Sequence, residues 1–207
     1  MLIQGSVGQP STTSIQPGTT PTIRQGQLGD VIVSELHGRY YETAYRRNNF
    51  NVATQAGVTT AAGLVTGYTG LALTNPTTST VNCVLNKVGW AVNAAPAAVM
   101  VVGLAFNTST TAVTQTTAIT ARNNFLGGAA PQGLAASSVT FPTAPILSHV
   151  LGVIDTGAVT TVIHQVNFVD LEGSIVMPPG SYICLYTSTA SAATSFFGSF
   201  QWEEVPV

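Results

Sequence analysis

Apolar and polar residues alternate through most of the chain after residue 30, in short runs that glycine, proline and asparagine separate. Side chains of a strand point alternately to its two faces, so this period of two predicts β-strands rather than helices. In SFFGSFQWEEV (195–205), every second residue from Phe196 to Trp202 is expected to face a core. The other clear runs are TVNCVLNKVGWAV (80–92) and the continuous apolar segment AAVMVVGLAF (97–106).

Further strands are predicted where β-branched and aromatic residues cluster. NAAP (93–96) and DTGAV (155–159) have the composition of hairpin turns, and Pro-Pro-Gly (178–180) that of a turn between two strands. AAGLVTGYTGLAL (61–73) has some helical spacing, which three glycines weaken. About eight strands without helices between them predict an all-β fold, an antiparallel sandwich or barrel. The additional strands are predicted at VIVSEL (31–36), RYYETAYRR (39–47), TAVTQTTAI (111–119), ILSHVLGVI (146–154), TTVIHQVNFV (160–169) and SIVMPPGSYICLYTS (174–188).

The first 29 residues differ in composition from the rest and predict an extended N-terminal arm. Glycine, proline, serine, threonine and glutamine dominate them, and Arg24 is their only charged residue. Such a segment lacks the apolar content for a core of its own. Two interpretations stay open: a loose tail, or a strap that orders against another subunit. The predicted organisation is an arm at 1–29 and a β-sandwich at 30–207.

Charge is scarce, with six basic and eight acidic residues in 207 and a net charge of −2. Wrapping nucleic acid needs clustered lysine and arginine, so no nucleic-acid partner is expected. The apolar run 94–106 is too short to cross a bilayer, and the N-terminus lacks the pattern of a signal peptide, so no membrane partner is expected either. A neutral, hydroxyl-rich surface is typical of a protein that neighbouring subunits cover.

The charges concentrate in SELHGRYYETAYRRNNF (34–50), which also holds three tyrosines. Arginine and tyrosine are enriched at binding hot spots because each brings a large contact area and a directed donor. We therefore predict an intersubunit surface here. The alternative is an exposed edge strand whose charges block stray pairing. The candidate interface residues are Arg24, Arg39, Tyr41, Tyr45, Arg46 and Arg47.

Candidate catalytic and metal-binding residues are few. His149 lies in an apolar run and is expected to be a hydrogen-bonded core histidine, as is His164; with His37 they show no metal-ligand spacing. Asp170 and Glu172 could seat calcium, although a solvated turn is the simpler interpretation.

Other titratable residues add little chemistry. Glu203 and Glu204 are adjacent on a strand and point to opposite faces, which is wrong for acid–base cooperation. Cys83 and Cys184 are expected to be buried free thiols, with a disulfide as the alternative. No catalytic activity, cofactor or metal is predicted.

The Gly/Pro/Thr-rich arm, the Thr/Ala/Val/Gly-rich β body and the closing PPGSYICLYTS…FFGSFQWEEVPV segment resemble the jelly-roll structural proteins of tailed bacteriophages, and among them the cement or decoration proteins. The closing segment also resembles the last strands of trimeric jelly rolls of the tumour-necrosis-factor and complement-head type. The resemblance implies a jelly-roll-like sandwich, a dimer or trimer of copies of itself, and binding to the major capsid protein on the capsid surface.

Two function classes follow, with a third as a remote possibility. The first is a virion protein, made in the host cytoplasm, that stabilises a capsid by bridging its subunits. The alternative is a trimeric receptor- or glycan-binding head of a phage tail fibre or spike, whose neutral loops 74–80 and 107–133 contact glycans. The third, a sugar-active enzyme, needs paired carboxylates in one cleft, which the sequence does not offer.

Overall fold

A computed structural model describes residues 38–154 and 167–207, and the backbone of 5–7 and 23–25. The chain divides into two compact units, Met1–Arg39 and Tyr40–Val207. In the first, strands β1 (Gly5–Val7) and β2 (Ile23–Gln25) pair in parallel, with Ser6 opposite Arg24. The predicted boundary between residues 29 and 30 and the predicted strand at 31–36 lie outside the described residues.

The second unit is an antiparallel β-sandwich, as the alternation predicts. One sheet has the strand order β10-β6-β12-β4-β9-β7 and the other β11-β5-β13-β3-β8. Every pairing described within these two sheets is antiparallel. The elements are α1 (Tyr41–Tyr45), β3 (Asn49–Ala53), β4 (Gly67–Thr74), β5 (Val81–Val92), β6 (Met100–Thr108), β7 (Thr114–Ile119), β8 (Arg122–Asn123), β9 (Leu134–Thr140), β10 (Ile146–Ile154), β11 (Asn167–Met177), β12 (Ser181–Thr187) and β13 (Phe196–Pro206).

Strands β3 to β6 alternate between the two sheets along the chain, and so do strands β10 to β13. Strands β3, β5, β11 and β13 belong to the five-stranded sheet, and β4, β6, β10 and β12 to the six-stranded sheet. The predicted hairpin at 93–96 is therefore wrong, because β5 and β6 lie in different sheets. The predicted hairpin turn at 155–159 lies outside the described residues, as do residues 160–166 of the strand predicted to follow it. Turn composition shows where the chain bends but not which strand it pairs with next.

The main core lies between the sheets and follows the predicted alternation. Along β13 every second side chain from Phe196 to Glu204 is buried, and the residues between them are more exposed. Trp202 packs against Phe50 with ring centroids 6.0 Å apart. The predicted strands at 80–92, 97–106 and 111–119 correspond to β5, β6 and β7.

The segment 61–73, for which helical spacing was noted, instead leads into strand β4. Gly70 has φ +138, and a Cβ there would lie 2.1 Å from the Tyr68 hydroxyl oxygen. That hydroxyl donates to the carbonyl of Leu185 at 2.7 Å, on the neighbouring strand. Glycine is therefore required at position 70 so that the Tyr68 side chain can lie across its own strand.

Among the described residues, the buried polar side chains are hydroxyls and amides, with Glu204 as the charged exception. Thr187 donates to the Thr60 hydroxyl at 2.8 Å, and the backbone N–H groups of Thr60 and Ser191 each donate to the other's side-chain oxygen. The Asn75 amide nitrogen donates to the carbonyls of Val81 and Met177. These paired groups lower the cost of burying polar atoms without introducing ions.

Glu203 and Glu204 point to opposite faces of β13, as expected. Glu204 is buried, and its carboxylate accepts hydrogen bonds from the backbone N–H groups of Gln132 at 3.0 Å and Gly133 at 2.8 Å. Its role here is to hold the loop that precedes β9.

The two cysteines are free and buried, which confirms the first interpretation of them. In the described part of the chain, no helix has both the length and the hydropathy of a membrane span.

Candidate assembly surface

Within the charge-rich segment 34–50, the described part forms a short helix, and the predicted strand at 39–47 is wrong. Residues Tyr41–Tyr45 form α1, with Arg46 at its C-cap and Arg47 at φ 65. Two pairs four residues apart favour the helix over the strand. The Arg46 Nε donates to a Glu42 carboxylate oxygen at 2.7 Å, and the Tyr41 and Tyr45 rings stack at 5.7 Å. Tyrosine and threonine favour strands by propensity, but local pairs decide the outcome here.

The segment from Tyr40 to Arg47 packs against the outer face of the five-stranded sheet. The Tyr40 hydroxyl donates to the Asp170 carboxylate at 2.7 Å, and the Lys87 ammonium lies 4.9 Å from the centre of the Tyr40 ring. Burial raises the pKa of the Glu203 carboxyl, and the positive charge of Arg46 offsets part of that rise. Tyr40 therefore fixes the segment on this sheet, and Arg46 lies near enough to Glu203 to favour its charged form.

Five of the six candidate interface residues lie between Arg39 and Arg47 and are exposed. Arg39 is exposed in the turn before α1, and Tyr41 and Tyr45 are about half exposed on the helix. The Arg47 guanidinium covers the Phe125 ring at 4.7 Å. Arg24 lies in β2, and its side chain is outside the described part. Tyr41 and Tyr45 are the members that offer an exposed aromatic contact.

The outer face of the six-stranded sheet differs, because it carries a second apolar cluster. Phe141 stacks on Tyr182 at 4.6 Å and packs against Tyr68 at 5.6 Å, and the Tyr182 hydroxyl donates to the Thr143 carbonyl. The chain after β9 therefore covers part of this face. Its buried members are Tyr68, Ala72, Ala105, Ala136, Val139, Phe141, Tyr182 and Cys184.

Exposed apolar side chains concentrate along β10, β11 and the neighbouring strand β6. Strands β10 and β11 end their respective sheets, so they form one lateral edge of the sandwich. Two bulges interrupt the pairing of β10 with β6, which breaks the alternation and turns valines outward. We call these residues the apolar edge: Phe106, Ile146, Val150, Val153, Phe168 and Val176.

A pocket of about 310 Å³ opens at this edge, between β6 and β10 of one sheet and β11 of the other. Its lining is mainly apolar and contains no aspartate, glutamate, lysine or arginine. His149 lines it with an exposed side chain, and its Nδ1 lies 2.8 Å from the Ser148 hydroxyl. The expectation of a core histidine at 149 is therefore wrong, whereas His37 and His164 lie outside the described residues. We call this the edge pocket; its lining includes Phe106, His149, Ile175, Val176, Met177 and Pro178.

The candidate calcium ligands have protein partners. Asp170 accepts from Tyr40 and also from the backbone N–H of Glu172 at 3.0 Å. Glu172, at φ 53, and Gly173, at φ 76, form a bulge in β11. Within residues 38–154 and 167–207, no group of three histidine, cysteine or carboxylate side chains is placed to hold a metal ion.

Sequence reasoning missed the apolar edge. Val150 and Val153 lie three residues apart, and in an apolar run that spacing gives no sign of which side chains are exposed. The regular alternation of apolar and polar residues fails beside Gly152, and that failure was the sign in the sequence that these valines could be exposed.

Comparisons with protein-family models, with curated proteins and with solved structures each found no match.

Proposed function

We propose that the protein is a non-enzymatic structural component of a virion, which binds the outside of the capsid and stabilises it by bridging capsid subunits. The observation that carries this proposal is the apolar edge, an exposed row of large apolar side chains on a body with almost no charge. Exposed apolar patches of this kind are typical of protein–protein contacts. Burial of this edge against capsid subunits or other copies would supply the binding free energy.

The strand order supports a jelly-roll topology for the sandwich, which is part of the same proposal. Eight strands, β3 to β6 and β10 to β13, divide four and four between the sheets, and successive members alternate between the sheets except at the step from β6 to β10. The chain between β6 and β10 forms β7, β8 and β9. Jelly rolls are common in viral structural proteins.

The division into two units supports the role proposed for the arm. The sandwich, Tyr40–Val207, is compact by itself, so an arm ahead of it can bind a neighbouring subunit without being needed for the fold. Ordering such an arm on assembly would couple capsid binding to folding of the segment.

Co-sedimentation with empty capsids, assembled from the major capsid protein encoded with this chain, tests the proposal. We expect the full chain to pellet with capsids and the chain lacking residues 1–29 to pellet more weakly while its circular-dichroism spectrum stays that of a β protein. Full-strength attachment by the truncated chain would contradict the role of the arm. Failure of the full chain to pellet would contradict the function itself.

A second candidate function is the glycan-binding head, which one observation favours. Residues 74–77, at the end of β4, and residues 111–113 and 115, at the start of β7, line a pocket of about 90 Å³. Three of its lining residues each carry a buried polar atom without a hydrogen-bond partner among the described residues: Thr74 Oγ1, Asn75 Oδ1 and Gln115 Nε2. Uncharged donors and acceptors suit the hydroxyl groups of a neutral sugar. A specific hit on a glycan array, together with no capsid binding, would favour this function over the first.

A further inference from the structure

Leu126 is the most exposed large apolar side chain in the described part of the chain, at 90% of its full exposure. It lies at the tip of NFLGG (124–128), a turn closed by the bond from the Gly128 N–H to the Phe125 carbonyl at 2.8 Å. Gly127, at φ +85, allows this turn. A leucine so completely exposed gains free energy if a partner removes it from water.

The turn that carries Leu126 is held firmly in place. The Asn123 side-chain oxygen accepts from the Phe125 N–H at 2.8 Å, and its amide donates to the carbonyls of Arg47 and Ala129. A Cβ on Gly128 would lie 2.7 Å from the Asn123 side chain, so glycine lets the turn close over it. Leu126 is thus presented by a fixed support, which lowers the entropy lost on binding.

The edge pocket has the chemistry to receive such a side chain. Its walls include Ile175, Met177 and Pro178, and its mouth is bordered by Phe106 and Val176, which are themselves exposed. The lining holds no acidic or basic side chain apart from His149. An apolar side chain can therefore enter without displacing an ion from water.

Leu126 and the edge pocket belong to opposite edges of the sandwich. Leu126 follows β8, the last strand at one end of the five-stranded sheet, and the pocket lies beside β11, at the other end. A side chain and a receiving pocket on opposite edges cannot meet within one copy, but they can meet between two. Such a contact is heterologous, and it builds a ring of three or more copies if its rotation closes.

We propose that Leu126 of one copy inserts into the edge pocket of the next copy and so joins the protein head to tail. A second copy is the favoured occupant because one chain carries both complementary parts, neither of which needs a charged partner. The inference rests on the proposed structural function for its context, but it concerns contacts between copies and not the capsid.

The test measures the native mass of the full chain and of two single variants. Leu126→Asp removes the inserted group, and Ser174→Trp places a bulky ring at an exposed position in the lining of the pocket. Each variant is expected to weaken self-association by about tenfold to a hundredfold, the effect of losing one buried leucine. Val207→Asp and Thr116→Trp are the matched controls, since both positions are exposed and outside the pocket lining, and they should leave the native mass unchanged.

Mixing the two variants gives the sharpest result. The Leu126→Asp chain keeps an intact pocket and the Ser174→Trp chain keeps an intact leucine, so one interface can form between them. We expect a heterodimer in the mixture and monomers in each variant alone. A wild-type monomer at micromolar and higher concentrations, an unchanged oligomer in Leu126→Asp, or no heterodimer on mixing would each overturn the inference.

Capsid co-sedimentation of the same variants separates this inference from the proposed function. Oligomers that depend on Leu126 but do not bind capsids would leave the inference intact and contradict the capsid role. Capsid binding by a wild-type chain that never self-associates would support the capsid role and contradict the contact between copies.

Discussion

The outer faces of the two sheets have opposite chemistry. The face of the five-stranded sheet carries Lys87, Asp170 and Glu203, and the charge-rich segment around α1 packs on it. The face of the six-stranded sheet carries Tyr182, Cys184 and small apolar residues, which the chain after β9 covers in part. A chain with few charges has thus placed most of its described charge on one face and left the other to apolar packing.

The two faces also differ in how available they are for contact with other molecules. Charges on the five-stranded face are matched within the chain, so they contribute local pairing more than free binding capacity. Apolar side chains of the six-stranded face extend beyond their cover to the edge at β10, where Val150 is 64% exposed. Intermolecular binding is therefore expected at the apolar edge more than at the charged segment.

Removing an aromatic ring from each face should give the largest contrast. Phe141→Ala deletes a fully buried ring of the second apolar cluster and should lower the free energy of unfolding by about 3–5 kcal/mol. Phe168→Ala, the matched change on the other face, removes a ring that is 57% exposed and should cost less than about 1 kcal/mol. Urea denaturation of both variants measures the difference, and equal losses would show that the six-stranded face is not a second core.

Thiol labelling tests whether the chain after β9 covers the outer face of the six-stranded sheet. Cys184 lies on the six-stranded face beneath the second cluster, and burial raises its pKa. Burial, with a smaller effect of the Glu204 carboxylate, raises the pKa of Cys83 to about 12. Iodoacetamide attacks the thiolate, so at mildly alkaline pH both cysteines should label at least about a thousandfold more slowly than in urea. Rapid labelling of Cys184 in the native protein would show that this face is open to solvent.

Tyr40→Phe measures the contribution of pairing on the charged face. The substitution deletes the hydroxyl that donates to Asp170 but keeps the ring beside Lys87. This hydrogen bond is solvent-exposed, so we expect a loss of about 0.5–1 kcal/mol in thermal or urea unfolding. Tyr186→Phe, whose hydroxyl has no hydrogen bond to the described residues, is the control and should be neutral. A loss of several kcal/mol would mean that the segment before α1 supports the fold itself.

The pH dependence of Glu203 gives the smallest effect. Its pKa is raised because burial disfavours the carboxylate, so its contribution to stability is present in acid and is lost as the pH rises through the folded-state value. Glu203→Gln should therefore become more stable relative to wild type on going from acid to neutral pH. Unfolding curves across that range measure the shift, and a relative loss of stability at neutral pH would mean that Arg46 outweighs burial.

Sequence predicted the layers of this fold better than its connections. Alternation in β13 identified the buried side chains from Phe196 to Trp202, because a regular strand with one buried face has an unambiguous period. Strand partners were predicted wrongly at 93–96, since β5 and β6 each pair with strands far away in sequence. That information is not local, and no turn composition contains it.

The structure exposes apolar residues that the sequence analysis did not single out. Sequence indicated a surface for neighbouring copies from the scarcity of charge, and the charge-rich segment was the natural position for it. Side-chain pairs four residues apart favour a helix in that segment, which packs on the five-stranded sheet of the same chain. Bulges in β10, by contrast, expose Val150 and Val153. Leu126 lies between Phe125 and two glycines in the sequence, but only the structure shows that it is exposed.

Light scattering of the purified 207-residue chain measures whether other subunits cover its uncharged apolar surface. We expect a molar mass that is a multiple of 21.3 kDa, and a return toward 21.3 kDa when Val150→Asp places a charge on the apolar edge. A chain that stays at 21.3 kDa over the whole accessible concentration range, and that also does not sediment with capsids, would contradict it.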